Sequence, residues 1–168
     1  LAATGQRHLM NMWGDAFAPH GREVAQALIT HANWENKHER KSVRELLHAC
    51  KAAGVVPIVN ENDPVSDIEI HLMERKISEN DILAAYVANL VGADGIIFLT
   101  KSGGILSCEE STKGRIIHEI HVRNLDRVNV EQGTTSGRGG MAKKFDAIRV
   151  CAEYNPAVRI AVAGRQKD

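Results

Sequence analysis

Val55-Val56-Pro57-Ile58-Val59, running without a break into Asn60-Glu61-Asn62-Asp63-Pro64, decides the fold class. The apolar run is dense in β-branched residues and too short for a helix. It fits a strand buried on both faces, as in parallel sheets. Pro57 has no N–H to donate, which places this strand at an edge or a distortion. The polar residues fall where ligands gather in open α/β sheets, at the carboxyl end of a strand. Asn60 to Asp63 supplies donors and acceptors suited to the amino and carboxylate groups of a small substrate. The same residues also suit a turn fixed by Asn and Asp side chains and closed by Pro64.

Upstream, Val43, Leu46, Leu47 and Cys50 recur at helical spacing, with Lys41, Arg44 and Glu45 on the other face. Gly54 ends that helix. Ala25, Leu28 and Ile29 also recur at helical spacing, so the first third reads as helical, with Asn33 to Lys41 as a solvated loop. Downstream, Asn80 to Val91 reads as a helix with Asn80 as its N-cap. Gly92 and Asp94 break it, and Ile96 to Leu99 forms a second buried strand. Arg115 to His121 alternates apolar and polar residues, as an outer strand or hairpin arm does. A Gly/Ser/Thr-rich loop covers Gly133 to Gly140, Met141 to Tyr154 reads as a helix, and Val158 to Ala163 as a last strand. Strands alternating with helices predict an α/β fold with a largely parallel sheet.

Composition narrows the function classes. A chain of 168 residues, 43% hydrophobic and 25% charged, predicts one soluble globular domain. At 4% aromatic content its core is mainly aliphatic. Lys plus Arg (21) balances Asp plus Glu (21), so no basic field gathers nucleic acid. Cys50, Cys108 and Cys151 are sparse and unpaired in sequence, which fits free thiols in a reducing cytoplasm. No apolar stretch reaches membrane-span length and no signal segment opens the chain. His118 and His121 fall on opposite faces of a strand, so no metal site is predicted there.

Further polar clusters follow the later strands, at Thr100 to Gly104 and at Gly164-Arg165, and Asn80-Asp81 opens a helix. Ser136-Gly137-Arg138-Gly139-Gly140-Met141-Ala142-Lys143-Lys144 runs from a glycine-rich loop into a helix. Glycines let the backbone approach an anion, the first helical N–H groups point at it, and the lysines add positive charge. That combination suits a polyphosphate, although the spacing is not that of a Walker A loop. A surface loop with two solvated lysines has the same pattern. Asp81 is well placed for the helix dipole, as a cap or as a functional group.

Taken in order, these clusters resemble the glutamate 5-kinases, within the amino-acid kinase superfamily. The family's P-I-[IV]-N-E-N-D strand end matches Pro57 to Asp63. Its G-D-N-D helix start and V-G-A-D stop match Ser78-Glu79-Asn80-Asp81 and Val91-Gly92-Ala93-Asp94. Its L-T-D-x-x-G-L strand end matches Leu99 to Ile105, and its G-T-G-G-M-x-T-K loop matches Gly137 to Lys144. Gly5-Gln6, Leu9-Met10 and Val24 to Leu28 follow the family's helical region. The match spans nearly the whole chain.

The resemblance implies a three-layer αβα sandwich with a mainly parallel sheet, and an enzyme that phosphorylates the γ-carboxylate of L-glutamate with Mg-ATP, the first step towards proline. Asn60, Asp63 and Asn80 would hold glutamate, with Asp63 on its ammonium. Asp81 would orient lysines around the transferring phosphoryl, and Lys144 would stabilise its charge. Thr100, Lys101 and the segment Arg138, Gly139, Gly140, Met141, Ala142, Lys143 and Lys144 would bind ATP, with Mg²⁺ bridging the phosphates. Residues 1–94 would form mainly the glutamate side and 95–168 mainly the ATP side. A homo-oligomer is compatible with this reading. Neither nucleic acid nor membrane is expected as a partner.

The sequence departs from the family at several points. Lys101 stands where the family has Asp, Arg138 and Lys143 where it has Thr, and Ser78 and Glu79 where it has Gly and Asp. The connection from Asp63 to Asn80 is longer than usual. The family's K-x-G-S strand, S-S-G-A turn and final helix and strands have no counterpart. An incomplete domain over 1–168 is therefore expected, with bare sheet edges and apolar surface or a longer parent chain.

Overall fold

The computed structural model describes residues 2–62, 80–100, 103–107, 109, 114–121, 124 and 140–164. Two compact units divide the chain, Leu1–Leu83 and Ala84–Asp168. Each is built on a pair of parallel strands with helices, the α/β class expected from the sequence.

The first unit opens with α1 (Ala2–Phe17) and a single 3-10 turn, Ala18–His20. Gly21 ends that turn at φ 63 and its N–H donates to the Ala18 carbonyl at 2.9 Å. β1 (Val24–Ile29) follows, then α2 (His31–Glu35), α3 (Lys37–Ala52) and β2 (Val56–Glu61). β1 and β2 run parallel in register from Val24–Val56 to Ile29–Glu61, so this is a βαβ unit.

Two expectations are corrected here. Val24 to Ile29 is a strand and not a helix. Its short apolar run satisfies both periodicities, and pairing with β2 decides between them. Asn33 to Lys41 is not a solvated loop but carries the end of α2 and the start of α3. Asn36 is the N-cap of α3, and its side-chain oxygen accepts from the N–H groups of His38 (2.9 Å) and Glu39 (3.3 Å). Polarity at this point marks a helix start rather than a loop.

The Pro57 expectation resolves physically. The Val56 N–H donates to the Glu23 carbonyl and the Asn62 N–H to the Ile29 carbonyl. Alternate residues of β2 thus face β1, and Pro57 belongs to the other set. Its missing N–H removes no bond from this ladder.

Helix stops are built alike in both units. At the end of α3, the Gly54 N–H reaches the Lys51 carbonyl and the Val55 N–H the Cys50 carbonyl, with Gly54 at φ 72. At the end of α4 (Asn80–Val91), Gly92 reaches Asn89 and Ala93 reaches Ala88, with Gly92 at φ 62. Both are Schellman closures, which need a left-handed residue at the first position past the cap.

The second unit continues with β3 (Gly95–Thr100), α5 (Gly140–Tyr154) and β4 (Arg159–Gly164). β3 and β4 are parallel, in register from Gly95–Arg159 to Thr100–Gly164. Leu106 and Ile116 form an antiparallel bridge, and the Ile117 N–H donates to the Ile105 carbonyl, so Arg115 onward is a hairpin arm. Phe98 is buried, whereas Ile97 and Leu99 on the opposite face are 67% and 75% exposed. Ala85, Ala88, Phe145, Ala147, Ile148 and Cys151 of the helices are buried as well. The Asn89 side chain ties α4 to α5 through the Val150 carbonyl (3.3 Å). Among the described residues no helix is long and apolar enough to cross a membrane.

Candidate functional site

In the first unit, β2 delivers Asn60 to the carboxyl edge of the strand pair, beside Leu28, and the ladder continues one residue further to Asn62. Asn60 is half-buried. Asp63, the expected ammonium ligand, lies outside the described residues.

β1 ends at the same edge in a polar network that the sequence reading missed. Asn33 Oδ1 accepts from the Thr30 N–H (2.8 Å) and the Thr30 hydroxyl (3.0 Å), and the Asn33 N–H returns to Thr30 Oγ1 (3.3 Å). Asn33 Nδ2 then donates to Glu39 Oε2 at 2.6 Å, locking α2 to the first turn of α3. The pattern Asn36-x-x-Glu39, an N-cap followed by an acid in the first turn, was the available signal. This network holds the loop after β1 in one conformation next to Asn60 to Asn62.

α4 starts at Asn80, which is exposed, and carries Asp81 half-buried in its first turn. Asp81 shares a helical face with buried Ala85 and Ala88, one and two turns on. A carboxylate at this end of a helix is stabilised by the unpaired N–H groups of the first turn.

In the second unit, β3 delivers Thr100 to the carboxyl edge, opposite Gly164. Gly103 follows at φ 76 and Gly104 is buried. Lys144 stands one turn into α5, with its Nζ 5.8 Å from the centroid of the Phe98 ring. Phe98 and Thr100 are two residues apart on one strand, so they share a sheet face. The structure therefore brings Lys144 and Thr100 to the same half and the same face of the β3–β4 pair. The contact is of the cation–π kind, in which the ring face attracts the ammonium and limits where it can go. Lys101, Arg138 and Gly139 lie outside the described residues. Gly140, Met141, Ala142 and Lys143 are described in backbone only, as the first turn of α5.

A cavity of about 230 Å³ lies beside this edge, lined chiefly by Ile105, Ile117, Ile148, Ile160, Val162 and His118. Most of its lining side chains are aliphatic, with His118 the polar one among them. The candidate anion site taken from the sequence is the sheet edge and helix start, at Thr100 and the first turn of α5.

Each strand pair therefore ends in a polar edge, one rich in amide and hydroxyl side chains and one in glycine. The model of the amino acid kinase family matches residues 1–161. Glutamate 5-kinase of Aliivibrio fischeri is 35% identical over 170 residues, covering 99% of this chain and 45% of that protein. Glutamate 5-kinase of Pseudomonas savastanoi pv. phaseolicola is 38% identical over 168 residues, covering 98% and 44%. Glutamate 5-kinase of Vibrio vulnificus is 36% identical over 169 residues, covering 98% and 43%. The chain spans less than half the length of these curated relatives. Since the family match covers residues 1–161, nearly the whole chain, the chain belongs to the amino acid kinase family.

Proposed function

We propose that this chain forms part of an enzyme that transfers the γ-phosphoryl group of ATP to the γ-carboxylate of L-glutamate, in the cytoplasm, as the opening step of proline biosynthesis. The observation that carries this reading is the identity of 35–38% to proteins named glutamate 5-kinase over nearly the whole chain. Residues 1–94 would then serve mainly glutamate and 95–168 mainly the nucleotide.

The chemistry needs no general base, because a carboxylate is already ionised at neutral pH. A carboxylate oxygen attacks the γ-phosphorus, the bond to the bridging β-phosphate oxygen breaks, and ADP leaves. The product is an acyl phosphate. Two anions must meet in line, so positioning and positive charge do the catalytic work.

Asn60 and Asn80 donate hydrogen bonds to glutamate carboxylate oxygens, and Asp63 accepts from its ammonium. Thr100 and the backbone N–H groups from Gly139 to Lys144 take the ATP phosphates, at the start of α5 where the helix dipole favours anions. Lys144 places its ammonium on the transferring phosphoryl, and Asp81 orients the cations around it. Mg²⁺ would supply positive charge that offsets that of the phosphates. Asp81 and Thr100 carry the hard oxygen atoms that suit such an ion.

The test is ADP release from Mg-ATP with glutamate, aspartate, N-acetylglutamate or UMP as acceptor, with hydroxylamine trapping the acyl phosphate as a hydroxamate. Turnover and hydroxamate with glutamate alone are expected. Turnover on another acceptor instead would sink the assignment. A second reading, a catalytically decayed relative, is favoured by Lys101, which reverses the charge of the family's aspartate. Binding of ADP and glutamate without turnover would support it.

A further inference from the structure

Gly164 is a strand-end cluster residue with no part in the reaction above. It closes β4 as the register partner of Thr100. Conformational freedom does not explain a glycine here, because Gly164 is not among the residues with positive φ, unlike Gly103 at φ 76.

Space explains it. A Cβ added at Gly164 would overlap the Thr100 carbonyl oxygen outright. It would also stand 2.8 Å from the Gly103 nitrogen and 2.9 Å from the Thr100 carbonyl carbon. All three atoms are backbone, so none can swing aside as a side-chain tip does. Gly95, at the other end of the same strand pair, is a milder case. Its Cβ would come 3.2 Å from the Arg159 carbonyl oxygen, which a small shift relieves. From the other side, a Cβ at Gly104 would meet Ile116 Cγ2 at 3.2 Å. Gly103 and Gly104 are therefore held between the end of β4 and the hairpin arm.

We propose that Gly164 is a positioning residue for the nucleotide: its missing side chain lets Thr100 and Gly103 settle on the end of β4, and this fixes Thr100 against a nucleoside triphosphate. This rests on the reading of Thr100 as part of the ATP site. An alanine at 164 must push the Thr100 and Gly103 backbone atoms away by about 1 Å, and a misplacement of that size can cost up to about 10²-fold in a site built on positioning.

The test compares Gly164→Ala with the unaltered protein by ADP calorimetry and by the KM for ATP and for glutamate. Gly95→Ala controls for a perturbation elsewhere in the same strand pair. ADP affinity and the KM for ATP are expected to weaken about tenfold or more, with the KM for glutamate unchanged and Gly95→Ala without effect. Equal affinity for ADP in Gly164→Ala and the unaltered protein overturns the proposal. So does a parallel rise of both KM values with a fall in melting temperature, since that marks a purely structural role. If Gly164→Ala does not fold, Gly103→Ala decides, because it strains the same turn through its positive φ. Selective loss of ADP binding there supports the proposal, and unselective loss overturns it. An unaltered protein that binds ADP but does not phosphorylate glutamate breaks the substrate reading alone, and the calorimetric comparison still decides this one. An unaltered protein that does not bind ADP overturns both.

Discussion

The two strand pairs share one topology and end in opposite chemistries. At the edge of β1–β2, side chains crowd together: Thr30, Asn33 and Glu39 bond to one another beside Asn60. At the edge of β3–β4, glycines let backbone pack on backbone: Gly103 turns left-handed, Gly104 is buried and Gly164 has no room for a methyl group. A parallel sheet brings loops to its carboxyl edge and leaves their composition open. Side chains at such an edge can read the charges of a small molecule. A bare backbone can come close to phosphate, which is recognised by N–H groups. The difference supports an amino-acid edge in one unit and a nucleotide edge in the other.

The largest effect that sharpens this contrast is expected from Lys144→Met. Methionine keeps an unbranched stem over Phe98 and removes the ammonium. A fall in kcat of about 10²–10³ is expected, by analogy with the loss of one oxyanion-hole donor, with KM for glutamate little changed. A kcat within threefold of the parent in steady-state assays would remove Lys144 from the reaction. Asn60→Ala comes next. It is expected to raise the KM for glutamate about tenfold or more, since a hydrogen bond to a charged group is worth about 1.5–3 kcal/mol, without moving the KM for ATP. An equal rise in both would erase the distinction between the edges.

Asn36→Ala is expected to act on stability alone. Loss of the α3 cap costs about 1 kcal/mol and lowers the melting temperature by roughly 2–4 °C, with both KM values intact. The smallest effect is the pH dependence of unfolding. Burial first, then Tyr154 and Glu153, raises the Tyr86 hydroxyl above its ordinary 10.0. The unfolded chain therefore releases this proton at lower pH than the folded one. The stabilising contribution is full below about 10 and is lost as pH rises through the raised value. Tyr86→Phe is expected to shallow this alkaline fall in denaturant midpoint. The buried Cys151 thiol, raised above 9.0 by desolvation, keeps a fall of the same sign in the variant.

Much of the scaffold was legible because its signals were local. Gly54 and Gly92 mark helix stops that only a left-handed residue closes well, and the short β-branched runs after them can be little else than strands. Val24 to Ile29 was not legible, because apolar residues over so few positions fit a helix face as well as a strand, and only β2 settles the matter. The start of α3 was hidden for a different reason. A helix opening on Asn36-Lys37-His38-Glu39 has no apolar residue in its first turn, so capping geometry carries the signal that periodicity does not. Asn60, Thr100 and Lys144 were singled out as candidates through motif order. The Thr30–Asn33–Glu39 network, the Phe98 platform and the clash at Gly164 were not. Each is a contact between atoms, and neither spacing nor composition encodes it.

Pro57 leaves one more mark on the molecule. On the flank of β2 turned from β1, Val55 is already engaged by Cys50, and Pro57 has nothing to give. The first backbone donor there is Val59. A chain seeking to extend the sheet along that flank can dock only at its forward half, just behind Asn60. The rear half is proofed against stray strands, as an insulated stretch of wire is proofed against a short.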